Sequence, residues 1–215
     1  MKQRIVLLGP PASGKGTQAE MIQARYQLPI TSPGAILREE RKLGTPLGME
    51  AEKATSQGQL VSDEIVNAVV RGWLSRHESA FVFDGYPRSL RQASSLDAML
   101  TERNSSLDVA LLLEVNYETI RGRVERRMMC SACGRIVSVG LQVASAAAPC
   151  PSCGENLTKR LDDKPETLEL RMREYEIKTA PLIGYYRERG LLRSVDAARA
   201  PEVVFDSIVE ILEGA

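Results

Sequence analysis

The stretch GPPASGKGT at residues 9–17 constrains this chain more than any other. It stands between a short apolar run, Ile5 to Leu8, and a helix-compatible segment, Gln18 to Tyr26. A strand that turns through glycines into a helix brings loop N–H groups and the helix N-terminus to one point, and that point attracts a phosphate. Gly9, Gly14 and Gly16 permit the sharp turn because a residue without Cβ tolerates unusual backbone angles. In such a loop Lys15 reaches the β- and γ-phosphates and Thr17 helps to place Mg²⁺. Ser or Thr usually follows the lysine directly. Here Gly16 intervenes, which marks a variant of the loop.

A phosphate loop of this kind needs a parallel sheet behind it, and the remaining pattern supplies one. Strand signals at Leu28–Thr31, Phe81–Phe83, Val109–Val115 and Leu191–Val195 alternate with helical ones. The helical stretches are Pro33 to Lys42, Met49 to Gln57, Asp63 to Ser75, Leu90 to Thr101, Tyr117 to Met128, a long run from Lys164 through Tyr186, and Pro201 to Leu212. With Ile5 to Leu8 this gives about five short strands alternating with helices, the signature of a parallel sheet covered on both faces. Ser32 caps the helix that Pro33 begins. His77, the only histidine, reads as incidental, and Trp73 as packing.

Lys+Arg and Asp+Glu number 28 each, a balance that argues against nucleic acid as the main partner. No apolar run approaches the roughly 20 residues of a membrane span. Gly9, Pro10 and Pro11 stop the N-terminal apolar run too early for a signal peptide. The expected location is therefore the cytoplasm, where paired cysteines read as metal ligands rather than disulfides. Cys130 and Cys133 are separated by sixteen residues from Cys150 and Cys153. Two CxxC pairs at that distance fit a four-thiolate zinc site, which has no open position and is structural. The segment from Val137 to Pro149 reads as a small β-lobe that depends on the metal for its core.

Two further groups point at phosphate chemistry. Asp84 ends the Phe81–Phe83 run, the position of a carboxylate that orders Mg²⁺ through water, and Arg88 stands close by. Arg123 and Arg127 are spaced to share one helix face, as arginines gripping a phosphate do.

Residues 9–17, together with FVFDGYPRSLRQ at 81–92, resemble the adenylate kinase family. The resemblance extends to GQLVSDE at 58–64, RLDD at 160–163 and TAPLIGYY at 179–186, and the insert from about Arg126 to Asp163 is similar to the long lid of the zinc-bearing members. It implies a P-loop NTPase-type five-stranded parallel sheet flanked by helices, with a helical NMP-binding insert and a small zinc-bearing β lid. The implied division is 1–31, 62–125 and 164–215 for the core, 32–61 for the NMP-binding domain and 126–163 for the lid. The implied reaction is Mg·ATP + AMP ⇌ 2 ADP by a monomer, with structural zinc and with Mg²⁺ brought by ATP.

The resemblance also implies roles. Lys15, Asp84, Arg88, Arg123, Arg160 and Arg171 would be catalytic. ATP would meet Ala12, Ser13, Gly14, Lys15, Gly16, Thr17, Arg123, Arg127, Ile136, Val137 and Arg199. AMP would meet Ser32, Pro33, Arg38, Gln59, Leu60, Val61, Gly85, Tyr86, Pro87, Arg88, Gln92, Arg160 and Arg171. Asp162 and Asp163 would anchor lid arginines.

Three departures bear on specificity. Family members usually read STGD where this chain has Ser32, Pro33, Gly34 and Ala35, so a hydroxyl near the base and a carboxylate near the phosphate are missing. Val137 stands where an aromatic near the ATP base is common, and Arg126 where a hinge glycine is common. These leave two other readings open: a nucleoside monophosphate kinase with a different acceptor base, or a nucleotide-binding regulatory protein with little turnover.

Overall fold

The computed structural model describes residues 1–56, 61–77, 80–159 and 163–214. Its centre is a five-stranded parallel sheet. The strands are β1 (Arg4–Leu8), β2 (Ile30–Thr31), β3 (Phe81–Asp84), β4 (Val109–Glu114) and, late in the chain, β8 (Leu192–Asp196). Their spatial order is β2-β3-β1-β4-β8, so the direction of winding reverses at β1. In an open sheet of this kind ligands bind beyond the carboxyl ends of the strands at that reversal. The glycine loop leaves β1 at this place.

The alternation of β1 shows why both faces are covered. Ile5 and Leu7 turn to one side, where they meet Ala19 and Ile22 of α1 (Lys15–Tyr26) and Val204, Ile208 and Leu212 of α9 (Pro201–Glu213). Val6 and Leu8 turn to the other side. There they join Val69, Val70 and Trp73 of α4 (Asp63–Leu74), Leu96 and Leu100 of α5 (Leu90–Thr101), and Leu182 and Tyr186 of α8 (Pro181–Glu188). His77 stacks on Trp73 with ring centroids 3.9 Å apart, so the histidine read as incidental is a packing residue.

Two helices, α2 (Pro33–Lys42) and α3 (Pro46–Ser56), are set between β2 and α4. Ser32 Oγ accepts the Ala35 N–H at 3.2 Å and Pro33 takes the first helical position, as expected from the sequence. The helix expected from Met49 starts three residues sooner, because α3 already begins at Pro46. Gly48 lies inside that helix, where a Cβ would stand 2.5 Å from the Arg41 nitrogen and 2.6 Å from the Glu40 carbonyl oxygen.

After β4, α6 (Tyr117–Arg126) leads into a three-stranded antiparallel sheet. It contains β5 (Arg127–Cys130), β6 (Ile136–Ser138) and β7 (Leu157–Thr158) in the order β6-β5-β7. The helix expected to run to Met128 therefore stops two residues sooner. Arg127 is extended and pairs with Ser138, so Arg123 and Arg127 do not share a helix face. The segment after β6 is mostly turns, and the lobe's sheet draws its other two strands from flanking sequence. The long helical run is α7 (Pro165–Glu174), a π turn over Tyr175–Thr179, then α8. In the π turn the Ala180 N–H donates to the Tyr175 carbonyl at 2.8 Å.

Candidate active site

The loop from Gly9 to Gly14 folds as its glycines require. Gly9 has φ +144°, and a Cβ there would lie 2.8 Å from both the Leu113 carbonyl oxygen and Ser13 Oγ. Gly14, with φ +101°, precedes the first residue of α1. Ala12 adopts φ 58° without being glycine, an unfavourable angle accepted inside the loop. Lys15 donates from Nζ to the carbonyls of Gly9 and Pro10, each at 2.8 Å, and to Ser13 Oγ at 3.3 Å. Burial lowers its pKa from 10.5 to about 8; Asp84 opposes that shift, and Arg88, Arg171 and Arg127 add to it. A lysine whose proton is held loosely among arginines favours an incoming polyanion, which would hold that proton more tightly.

Asp84 is placed by register. Its partner in β1 is Leu7, so its carboxylate emerges at the carboxyl end of β3 beside the loop. A Cβ on Gly16 would stand 3.6 Å from Asp84 Oδ2, and glycine there leaves room between them. Thr17 is exposed at the start of α1. Arg123 crosses from α6 to the same region, donating to the Ser13 carbonyl at 3.0 Å and the Ala197 carbonyl at 2.5 Å. Burial, with the charge of Arg126, pushes its pKa down. Arg171 lies on α7, close enough for its charge to lower the Lys15 pKa. Arg199 is exposed in the turn after β8.

Arg88 follows the cis Tyr86–Pro87 peptide. Its Nε donates to the Gly85 carbonyl at 2.8 Å, and its backbone N–H donates to Gln92 Oε1 at 2.7 Å. Arg38, Val61 and Gly34 line a cavity of about 230 Å³ together with Leu37, Arg41, Gly48, Ala51 and Glu52. Gln59, Leu60, Arg160 and Asp162 lie outside the described residues.

Two residues named for nucleotide contact turn inward. Tyr86 is fully buried and donates to Asn67 Oδ1 at 2.8 Å, so its ring is a support of the site. Val137 is buried with Met128, Cys130, Cys150 and Leu157 in the small sheet's own core. Strand alternation then leaves Ile136 as the exposed side chain of that pair.

Asp63 is a site residue that sequence reasoning missed. Its carboxylate accepts from Gln92 Nε2 at 2.5 Å and from Ser89 Oγ at 2.9 Å, joining the starts of α4 and α5. An acid just after a serine cap reads as ordinary helix-start chemistry, so periodicity and motif could not single it out.

The four cysteines converge. All four Sγ atoms lie within 4.8 Å of one another. Cys130 and Cys153 sulfurs are 3.4 Å apart, and those of Cys133 and Cys150 3.7 Å. Sulfurs about 2.3 Å from one tetrahedral ion would be about 3.8 Å apart, so this donor set fits a zinc ion. The Cys133 N–H points at Cys130 Sγ at 3.5 Å, and this bond leads in lowering the Cys130 pKa to about 6, while hydrogen bonding with Cys130 helps to push the Cys153 thiol up to about 12.

Nothing in the described residues forms a helix long and apolar enough to cross a membrane.

The family model described as "Adenylate kinase" matches residues 7–191. Curated relatives carry the same name. The chain is 40% identical over 212 residues to the adenylate kinase of Thermodesulfovibrio yellowstonii, covering 98% of this chain and 99% of that protein. It is 41% identical over 214 residues to that of Clostridium perfringens, covering 99% and 98%. It is also 41% identical over 211 residues to that of Syntrophotalea carbinolica, covering 97% and 98%. With the loop, Asp84 and the arginines meeting at the reversal point of such a sheet, this likeness has one reading: the chain belongs to the adenylate kinase family.

Proposed function

We infer that the protein moves the γ-phosphoryl group of Mg·ATP to AMP, giving two ADP. The observation that carries this is the convergence of Lys15, Asp84 and Arg123 on the loop at the carboxyl end of β1, in a chain whose family holds along its length.

Phosphoryl transfer asks the protein for placement and charge rather than covalent chemistry. Loop N–H groups from Ala12 to Thr17 hold the ATP phosphates. Lys15 leaves the Gly9 and Pro10 carbonyls for the β/γ region and regains its full charge there. Arg88, Arg171 and Arg38 grip the monophosphate, with Arg160 on the lid side. Planar guanidinium forks suit this because they bind phosphate oxygens in pairs. Arg123 already touches the loop through the Ser13 carbonyl and is placed to neutralise charge on the transferred group. Mg²⁺ arriving with ATP supplies charge neutralisation at the phosphate oxygens, and Asp84 holds its water ligands. Gln92, with Val61 and the neighbouring segment, receives the adenine of AMP.

The parts move as three bodies in this reading. Residues 1–31, 62–125 and 164–215 form the core; 32–61 bind the monophosphate; 126–163 form a lid whose closure excludes water. Zinc held by Cys130, Cys133, Cys150 and Cys153 would tie together the lid's small core of Met128, Val137 and Leu157. The protein works as a monomer in the cytoplasm, with ATP, AMP and ADP as its partners.

Pro33 and Ala35 fit this reading. Ser32 still caps α2 and Pro33 still starts it, so the turn keeps its shape without the missing hydroxyl and carboxylate. The test is ADP formation from Mg·ATP with AMP, CMP, UMP and GMP supplied separately against a no-acceptor control. Strong preference for AMP is expected. Preference for another base, or bound ATP with no transfer to any acceptor, would overturn the proposal.

A further inference from the structure

Gln92 receives the acceptor base in the proposed function, and any part it has in choosing that base rests on that reading. A glutamine amide offers a donor and an acceptor on opposite sides and reads a base only if something decides which side is which. Here the two neighbours decide it. The Arg88 backbone N–H can only donate, and it meets Oε1 at 2.7 Å. The Asp63 carboxylate, when ionised, can only accept, and it meets Nε2 at 2.5 Å. A flipped amide would set N–H against N–H and oxygen against carboxylate at once.

Asp63 and the Gln92 backbone are themselves held. Asp63 Oδ2 accepts from Ser89 Oγ, and Ser89 Oγ also receives the Gln92 N–H at 3.2 Å. The Gln92 backbone carbonyl lies 3.3 Å from the buried Tyr86 hydroxyl, which also donates to Asn67. Asp63 is the first residue of α4.

We propose that Asp63 is a positioning residue for acceptor specificity: it locks the Gln92 amide so that the remaining N–H and the remaining Oε1 lone pair face the base in one order. That order suits a 6-aminopurine, whose amino group donates to Oε1 while ring N1 accepts from Nε2. A 6-oxopurine presents the reverse, an N1–H donor beside an oxygen acceptor, and is refused. A correctly paired amide–base edge is worth a discrimination of roughly ten- to a hundredfold.

The experiment compares kcat and KM for AMP and IMP in wild type, Asp63→Ala, Asp63→Asn and Gln92→Ala, with melting curves for each. Asn at 63 can still accept from Nε2 through its amide oxygen and donate to Ser89 Oγ, so it serves as the conservative rescue. We expect Asp63→Ala to narrow the AMP-to-IMP ratio of kcat/KM about tenfold, mainly through a raised KM for AMP, and Asp63→Asn to stay within about threefold of wild type. Equal loss toward both acceptors in Asp63→Ala, or an unchanged ratio, would overturn the lock. If Gln92→Ala collapses the ratio while Asp63→Ala does not, the positioning claim alone falls. If Gln92→Ala also leaves the ratio intact, Gln92 does not read the base, and the assignment beneath the lock falls with it.

Discussion

Arg127 and Asp163 close the two ends of the zinc-type insert on each other: the guanidinium donates from Nε to Asp163 Oδ2 at 2.8 Å and from a terminal nitrogen to Oδ1. Both side chains are withdrawn from solvent, with 13% and 2% exposed. Removing one partner of such a pair leaves the other buried and uncompensated. Arg127→Ala should therefore cost about 3–5 kcal/mol of stability where the insert joins the core. Hydrogen exchange across residues 124–139, with denaturant melts, measures it; a loss below about 1 kcal/mol would show the pair to be solvated in solution.

Lys15 gives a pH dependence with a definite sign. Its pKa in the free protein is lowered to about 8. Bound phosphates favour the ammonium and raise that value, so above about pH 8 nucleotide binding must take up a proton. ATP affinity should be flat below that pH and fall by up to about tenfold per unit above it, until the pKa of the complex is reached. The unfolded chain has the higher lysine pKa, so this group adds stability as pH rises from about 8 toward 10.5. Calorimetric titration of ATP from about pH 7 to about pH 9.5 spans the transition and measures the affinity. Lys15→Arg, which stays charged, should abolish the trend, and a trend that survives it would assign the proton elsewhere.

Gly48 permits the close crossing of α2 and α3. Gly48→Ala places a methyl group against the backbone of Glu40 and Arg41, 2.6 Å from the Glu40 carbonyl oxygen. Backbone cannot yield as a side-chain tip does, so a loss of about 1–3 kcal/mol is expected. For a chain of this size that is about 2–4 °C of melting temperature per kcal/mol. The KM for AMP should rise more than that for ATP, because Arg38 sits on the displaced helix. Equal effects on both would argue against the proposed part of Arg38 in holding the acceptor.

Metal removal should act on stability before chemistry. Chelation, or Cys130→Ser, should lower the melting temperature and loosen residues 127–158, since a structural thiolate site contributes folding energy directly. Elemental analysis of the purified protein should find about one zinc per chain, as a single four-thiolate site requires. A protein without stoichiometric metal and with unchanged melting would remove zinc from the account.

The sheet and its loop were legible because they obey local rules: glycines at fixed spacing, a buried apolar strand before the loop and a helix after it, an acid at a strand's end. The cysteine spacing likewise announced four sulfurs at one point. What escaped was decided by tertiary pairing. Arg127 looked like the next turn of a helix, yet Ser138 claims its backbone; its side chain meets Asp163, as the family resemblance implied. Val137 and Tyr86 sit in stretches that suggest ligand contact, but burial turned both inward. Asp63 lies in a stretch that carries the family resemblance, but its role could not be read there, because its partner lies 29 residues away on another helix.

The π turn at Tyr175–Thr179 has a mechanical meaning. It inserts one extra residue into a helical rod, which alters the rotational phase of the two halves by about 100° and adds little length. One half carries Arg171 toward Lys15 and the glycine loop, while the other commits Leu182 and Tyr186 to the core beneath the sheet. The turn thus works as a phase adapter between a face turned to the loop and a packing face that plain α-helical periodicity would leave out of step. Deleting one residue there should keep Leu182 and Tyr186 packed and turn Arg171 away from the loop: a stable protein, with its kcat reduced by orders of magnitude.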